Sequence, residues 1–504
     1  MKAFTYLSIL LISVALHAKP TVLIKNVRLI DGTGTPAYPA SVRIQGNKII
    51  AIGALKSLST DEIVDGKGFV LAPGFIDSHS HHLGDVQRNP NAISTASQGI
   101  TTIVVGQDGD SYPLEEIEKM LTKTPTAVNV ASYTGQSALR EQVMGEKNLY
   151  RATTQAEIDA MKVLLKKDLA NGSLGLSTGL EYEAAFYSTR DEVVQLAKVT
   201  AAAKARYISH IRSEDITMAD ALDEIIEIGK QANLPVQISH IKLAKKDDWG
   251  TASRVLALLE KARADGVDVT ADIYPYNFWH STPRVLFPKK DFTNLASAQF
   301  AVDQLFDPAE SVLVHFAPNS AYKGKTISEI ATLRGESPAQ ALISVVALAA
   351  DFREKNPNYS GTIEAITGKS MADSDVATFM NWPHTNICSD GNAGAHPRGY
   401  GSFTRILGRY VREQKVLSLE QAVYKMTGLT ASHLGIKDRG IIAPGKIADL
   451  VLFNPDTVID RATIKNSQAI SEGIEGVWVN GEKVFSENKA TGKRSGSLIK
   501  RNHE

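Results

Sequence analysis

Cysteine is nearly absent: the 504-residue chain has one, Cys388. No disulfide can close within the chain, so stability must come from the size of the core. An excess of charge is also missing. Lys+Arg and Asp+Glu both number 55, for a formal net charge of zero. Nothing in that balance points to nucleic acid or to an anionic membrane surface. No repeat of the solenoid kind is visible. The one long apolar run lies at 7–16, too short to span a bilayer comfortably. It follows Met1-Lys2 and precedes His17-Ala18-Lys19-Pro20. A charged start, a short apolar core and a small residue form the pattern of a secretory signal. The expectation is cleavage after Ala18, removal of 1–18 and an exported, periplasmic or secreted protein with no stable membrane span. An uncleaved anchor is the alternative.

What remains is ordinary for a globular chain: 43% apolar and 22% charged residues. Both ends read as β-structure. Val22-Leu23-Ile24 and Val27-Arg28-Leu29-Ile30 look like strands, and 42–52 reads as a hairpin. Near the other end, Val477-Trp478-Val479 and Val484-Phe485 flank Asn480-Gly481, the signal of a tight primed turn. Residues 19–72 and 436–504 are therefore expected to build one small β-sandwich domain together.

Between them, short apolar runs alternate with helical patterns, the mark of a parallel sheet with crossover helices. Eight strands are expected near 75–77, 101–105, 127–130, 174–176, 207–208, 236–239, 267–271 and 386–388. Helical patterns include 155–169, 190–204, 219–231 and 254–264. Eight such strands predict an α/β chain with a (β/α)8 TIM-like barrel over 73–435. The long gap before the last strand predicts an insertion over about 284–371.

Chemistry in such barrels gathers where the strands end. The first run closes on His79-Ser80-His81, and alternation places both imidazoles on one side. The second run leads to Asp108, the fifth to His210, the sixth to His240 and the eighth to Asp390. Four imidazoles and two carboxylates at one rim suit one or two borderline cations such as zinc. Cys388, inside an apparent strand, reads as a small buried hydrophobe.

The order His-x-His, two later histidines and a final Asp resembles the amidohydrolase superfamily. The segments Gly172-Ser173-Leu174-Gly175-Leu176-Ser177-Thr178-Gly179-Leu180-Glu181-Tyr182, Tyr274-Pro275-Tyr276, Ser389-Asp390-Gly391, His396-Pro397-Arg398 and Gly445-Lys446-Ile447-Ala448-Asp449 are similar to its N-acyl-D-amino-acid deacylase (D-aminoacylase) branch. That resemblance implies a zinc-dependent amidohydrolase that cleaves the amide of N-acyl-D-amino acids. It places His79, His81 and Asp390 at a more exposed metal position and His210 and His240 at a tighter one. Asp390 would be the catalytic acid–base. The family has a cysteine where this chain has Asp108, a departure that leaves the identity of the metal open. Gln136 stands where many relatives have a histidine. Arg398 and Lys242 match substrate contacts, and Tyr182, Tyr274 and Ser281 weaker ones, with Tyr276 an alternative to Tyr274. Two other readings stand beside this one: another amidohydrolase acting on dipeptides or cyclic amides, and a non-catalytic exported binding protein.

Overall fold

The structure is a computed structural model that describes residues 20–394 and 396–501. The expected leader over 1–18 lies outside the described residues. Among the described residues, no helix is long and apolar enough to cross a membrane.

The two chain ends meet in one nine-stranded sheet. Strand Val70–Pro73 joins them. It pairs parallel with Thr21–Leu29 on one side and antiparallel with Leu450–Phe453 on the other. The two short strands expected at 22–24 and 27–30 are a single strand, Thr21–Leu29, whose register shifts between Ile24 and Val27. Asn26 in that bulge sits at φ +57°. The expected turn between Ile474–Val479 and Glu482–Ser486 is present. Asn480 and Gly481 both take positive φ, as a primed turn needs. One face of the sheet packs Ile24, Val42, Ile49, Leu71, Leu450 and Trp478 into a cluster of its own.

The middle of the chain forms two parallel sheets. Phe75–Asp77, Ile100–Val105 and Asn129–Ser132 make a three-stranded sheet. Thr134–Gly135, Gly175–Gly179, Arg206–His210, Val236–Ile238, Val269–Ile273 and Thr385–Ile387 make a six-stranded one. Backbone bonds reach from one sheet to the other at both edges. Leu174 N–H donates to Ser132 O at 2.9 Å, and Asp390 N–H donates to His79 O at 2.8 Å. Crossover helices follow where the periodicity put them. Helix Gln155–Asn171 opens with a reciprocal capping box between Thr154 and Glu157 and closes on Gly172 at φ +106°, in the left-handed region.

The segment before the last parallel strand has a sheet of its own. Phe278–Ser281, Val312–Phe316, Lys325–Thr326 and Glu364–Lys369 pair antiparallel, joined by helices such as Pro338–Lys355. This extra layer starts at Phe278, ahead of the expected position 284. Ser281, expected near the substrate, lies in its first strand.

Candidate metal centre

All six expected ligands come from strand ends or the turns just after them. Three of those turns bend through the left-handed region: Asp108 at φ +55°, His240 at +34° and Asp390 at +48°. Such angles are uncommon for residues with a Cβ and are retained where the surroundings enforce them. The turn to Asp108 depends on Gly106, at φ +73°, where an added Cβ would lie 2.2 Å from Tyr133 O.

The side chains converge. His79 Nε2 is 3.5 Å from Asp108 Oδ2 and 3.5 Å from Asp390 Oδ1. His81 Nε2 is 3.4 Å and 3.3 Å from the same two oxygens. The other oxygen of Asp108 lies 3.5 Å from His240 Nε2, and His240 Nε2 lies 3.0 Å from His210 Nδ1. Asp108 thus stands between two groups, one of His79, His81 and Asp390 and one of His210 and His240. Within each group, Asp108 included, the candidate ligand atoms lie within 4.8 Å of one another. His79 is fully buried, whereas the His81 side chain is 35% exposed.

Two features fit this cluster to a cation. Both ring nitrogens of His79 and Oδ1 of Asp108 are buried without a hydrogen-bond partner among the described residues. Orphaned buried polar atoms are costly; one cation would satisfy a nitrogen of His79, and a second Asp108 Oδ1. The charge balance also calls for positive charge. Burial works against a proton on His79, yet Asp108 and Asp390 lift the ring well above the ordinary imidazole range. Burial likewise raises the Asp390 carboxyl, but Arg398, His240 and His79 outweigh it and hold it below the carboxylate range. Imidazole and carboxylate donors in this number suit zinc.

Several acids around the ligands escaped sequence reasoning. Asp272, fully buried in Val269–Ile273, accepts from the His240 amide at 2.7 Å, from Gln237 Nε2 at 2.7 Å and from Cys388 Sγ at 3.2 Å. Its Oδ1 is 3.7 Å from His79 Nδ1. Asp77 accepts from the Ser389 amide and hydroxyl at 2.7 and 2.5 Å and so ties the first strand to the turn carrying Asp390. The only available signal was a carboxylate inside an apolar strand, as in Thr270-Ala271-Asp272-Ile273. Glu181 lies 2.7 Å from His210 Nε2, and Glu214 lies 3.0 Å from His240 Nδ1. Glu181 lies in the segment 172–182, and Glu214 follows His210 by four residues. Neither spacing marks a ligand partner.

The expected substrate contacts also gather here. One cavity, with about 520 Å³ of empty volume, has Lys242, Tyr274 and Trp279 in its walls. A second, with about 1220 Å³, opens past His81, Asp108 and Ser137. Tyr182, Ser281, Asp390 and Arg398 line both. Two of the expected anchors are already paired. Arg398 donates to Asp390 Oδ2 at 2.7 Å, leaving its buried Nε without a partner among the described residues. Lys242 donates to both oxygens of Glu214, at 2.6 and 2.7 Å. Tyr276 packs against His396 with its hydroxyl unpartnered among the described residues.

Comparison with known proteins agrees with this picture. Residues 62–485 match the amidohydrolase family. The chain is 33% identical to a D-aminoacylase of Alcaligenes xylosoxydans xylosoxydans, covering 95% of this chain and 97% of that protein. It is equally 33% identical to an N-acyl-D-glutamate deacylase of the same organism, over 96% and 98%. The solved N-acyl-D-glutamate deacylase of Bordetella bronchiseptica, in complex with zinc and a phosphonate mimic of the tetrahedral intermediate, superposes with a TM-score of 0.84 at 31% identity. That match covers 96% of this chain and all of the other. This chain belongs to the amidohydrolase family, in the branch of the D-aminoacylases and N-acyl-D-amino-acid deacylases.

Proposed function

We propose that this protein hydrolyses the amide bond of N-acyl-D-amino acids, releasing a carboxylic acid and a D-amino acid. One observation carries the reading. His79, His81, Asp108, His210, His240 and Asp390 converge beside two cavities, in a chain one-third identical to named deacylases over nearly its full length. We further infer that the two parallel sheets are arcs of one closed eight-stranded barrel over 73–435. The backbone bonds at both edges support this. The nine-stranded sheet would be the small sandwich domain of 19–72 and 436–504, and the leader-like 1–18 supports export to the periplasm or beyond.

The residues present fit one or two zinc ions. A bound zinc supplies Lewis acidity, which eases loss of a proton from water and polarises a carbonyl. His79, His81 and Asp390 would hold the more exposed ion, His210 and His240 the tighter one, and Asp108 would face both. Asp390 takes the proton of the attacking water and returns it to the leaving nitrogen. Arg398 has donors to spare beyond Asp390. Its planar fork suits the substrate carboxylate. Lys242, held by Glu214, adds positive charge in the wall of the smaller cavity. Tyr182, Tyr274 and Ser281 shape the space between them.

The test is a rate comparison on zinc-reconstituted protein with paired N-acetyl-D- and N-acetyl-L-amino acids, dipeptides and hydantoins. The account expects turnover confined to the D-acyl compounds. Turnover of hydantoins or dipeptides instead would assign the chain to another amidohydrolase reaction. Tight binding without turnover would make it a binding protein.

A further inference from the structure

The smaller cavity is lined by four acids, Glu181, Glu214, Asp215 and Asp390, against Lys242 and Arg398. Glu214 is neutralised by Lys242, and Glu181 is engaged with His210. Asp215 is different. It lines the same cavity and is 6% exposed. Among the described residues it accepts hydrogen bonds only at Oδ1, from Ser213 Oγ at 2.6 Å and the Ile216 amide at 2.5 Å, and it forms no ion pair. Lys290 acts on it only through space. A buried carboxylate with an oxygen to spare and no cation in direct contact is an unfavourable arrangement unless something completes it. Val285, Leu286, Leu305 and Trp279 give the same space an apolar stretch of wall. An aliphatic stem with a cationic tip matches both features, because such side chains lay their methylenes on apolar surface and keep the head on a polar partner.

The geometry points to Asp215 as the anchor for a cationic substrate side chain, so that the preferred substrates are N-acyl amino acids of the lysine, ornithine or arginine kind. This assignment rests on the deacylase reading above and narrows it. Acidic side chains are disfavoured by the same carboxylates, Asp215 and Glu181.

The experiment uses the zinc-loaded full chain and three acetylated D-amino acids: lysine, its uncharged analogue norleucine, and glutamate. The expected kcat/KM for lysine exceeds that for norleucine by about tenfold or more, with glutamate last. In Asp215→Asn the lysine-to-norleucine ratio should fall about tenfold. A norleucine or glutamate preference in the unaltered protein overturns the assignment but leaves the deacylase reading standing. A ratio unchanged in Asp215→Asn does the same, since it makes Asp215 a turn residue before helix Met218–Ala232 and nothing more. If the variant does not fold, the comparison on the unaltered protein decides. If no acyl-D-amino acid is cleaved at all, both readings fall.

Discussion

Asp390 and Asp108 share the same histidines but do different work. Asp390 is clamped on one oxygen by Arg398 and faces His79 and His81 with the other. In the proposed mechanism it is the group that moves protons. Asp390→Asn should keep the fold and remove more than about nine-tenths of turnover, since general acid–base groups contribute roughly 100-fold or more. A variant retaining a tenth or more of the rate would contradict the role. Asp108 offers one oxygen to each half of the cluster. A carboxylate is a harder donor than the thiolate that the family resemblance implies there. Asp108→Cys should therefore bind zinc more tightly, by about tenfold or more, in chelator competition. Equal or weaker binding would show that Asp108 is not a ligand.

At the scale of strands and helices, the cluster is legible because its side chains sit where apolar runs stop. The run to Ile76 predicted His79 and His81, and the parallel runs to Ile208 and Ile238 predicted His210 and His240. Asp77 and Asp272 were not legible, because their partners, Ser389 and the His240 amide, come from other strands and only the folded sheet brings them together. The antiparallel layer from Phe278 was read as beginning late, because Phe278-Trp279-His280-Ser281 alternates too briefly to stand out from a loop. The split at 22–30 came from a bulge, which interrupts the pattern without ending the strand.

Helix Gly428–Leu434 carries a histidine away from the metal cluster, and it makes a pH prediction. Burial and the nearby Arg206 push His433 down to about 3 from 6.5. Its Nδ1 lies 2.6 Å from Asn386 Oδ1. Between those values the unfolded chain binds a proton that the folded ring does not. Stability is therefore full above pH 6.5 and falls as pH drops toward 3. The slope contributed is at most about 1.4 kcal/mol per pH unit. Urea unfolding between pH 7 and 5 should show a shallower decline for His433→Gln than for the unaltered protein. Parallel declines would contradict the neutral buried ring.

For the molecule as a whole, one buried carboxylate helps tie the terminal sheet to the parallel strands. Asp449 accepts from the Asn480 amide at 2.6 Å and from Asn129 Nδ2 at 3.0 Å, and it pairs with Arg439. Asn480 belongs to the terminal hairpin and Asn129 to the third parallel strand. Asp449→Ala leaves buried Arg439 with Asp438 alone and takes the acceptor from the Asn480 amide and Asn129 Nδ2; it should destabilise the protein by about 3–5 kcal/mol, read from the unfolding midpoint. A loss below about 1 kcal/mol would mean that the remaining contacts hold the two parts together without Asp449.

The account as a whole depends on six side chains from five strand ends meeting around a divalent ion. Anomalous diffraction at the zinc edge, on crystals of the zinc-loaded protein, tests this directly. The account predicts a peak bonded to His79, His81 and Asp390, with Asp108 in reach of it and of any second ion held by His210 and His240. Zinc found only elsewhere, with both His79 nitrogens still unpaired, would contradict it.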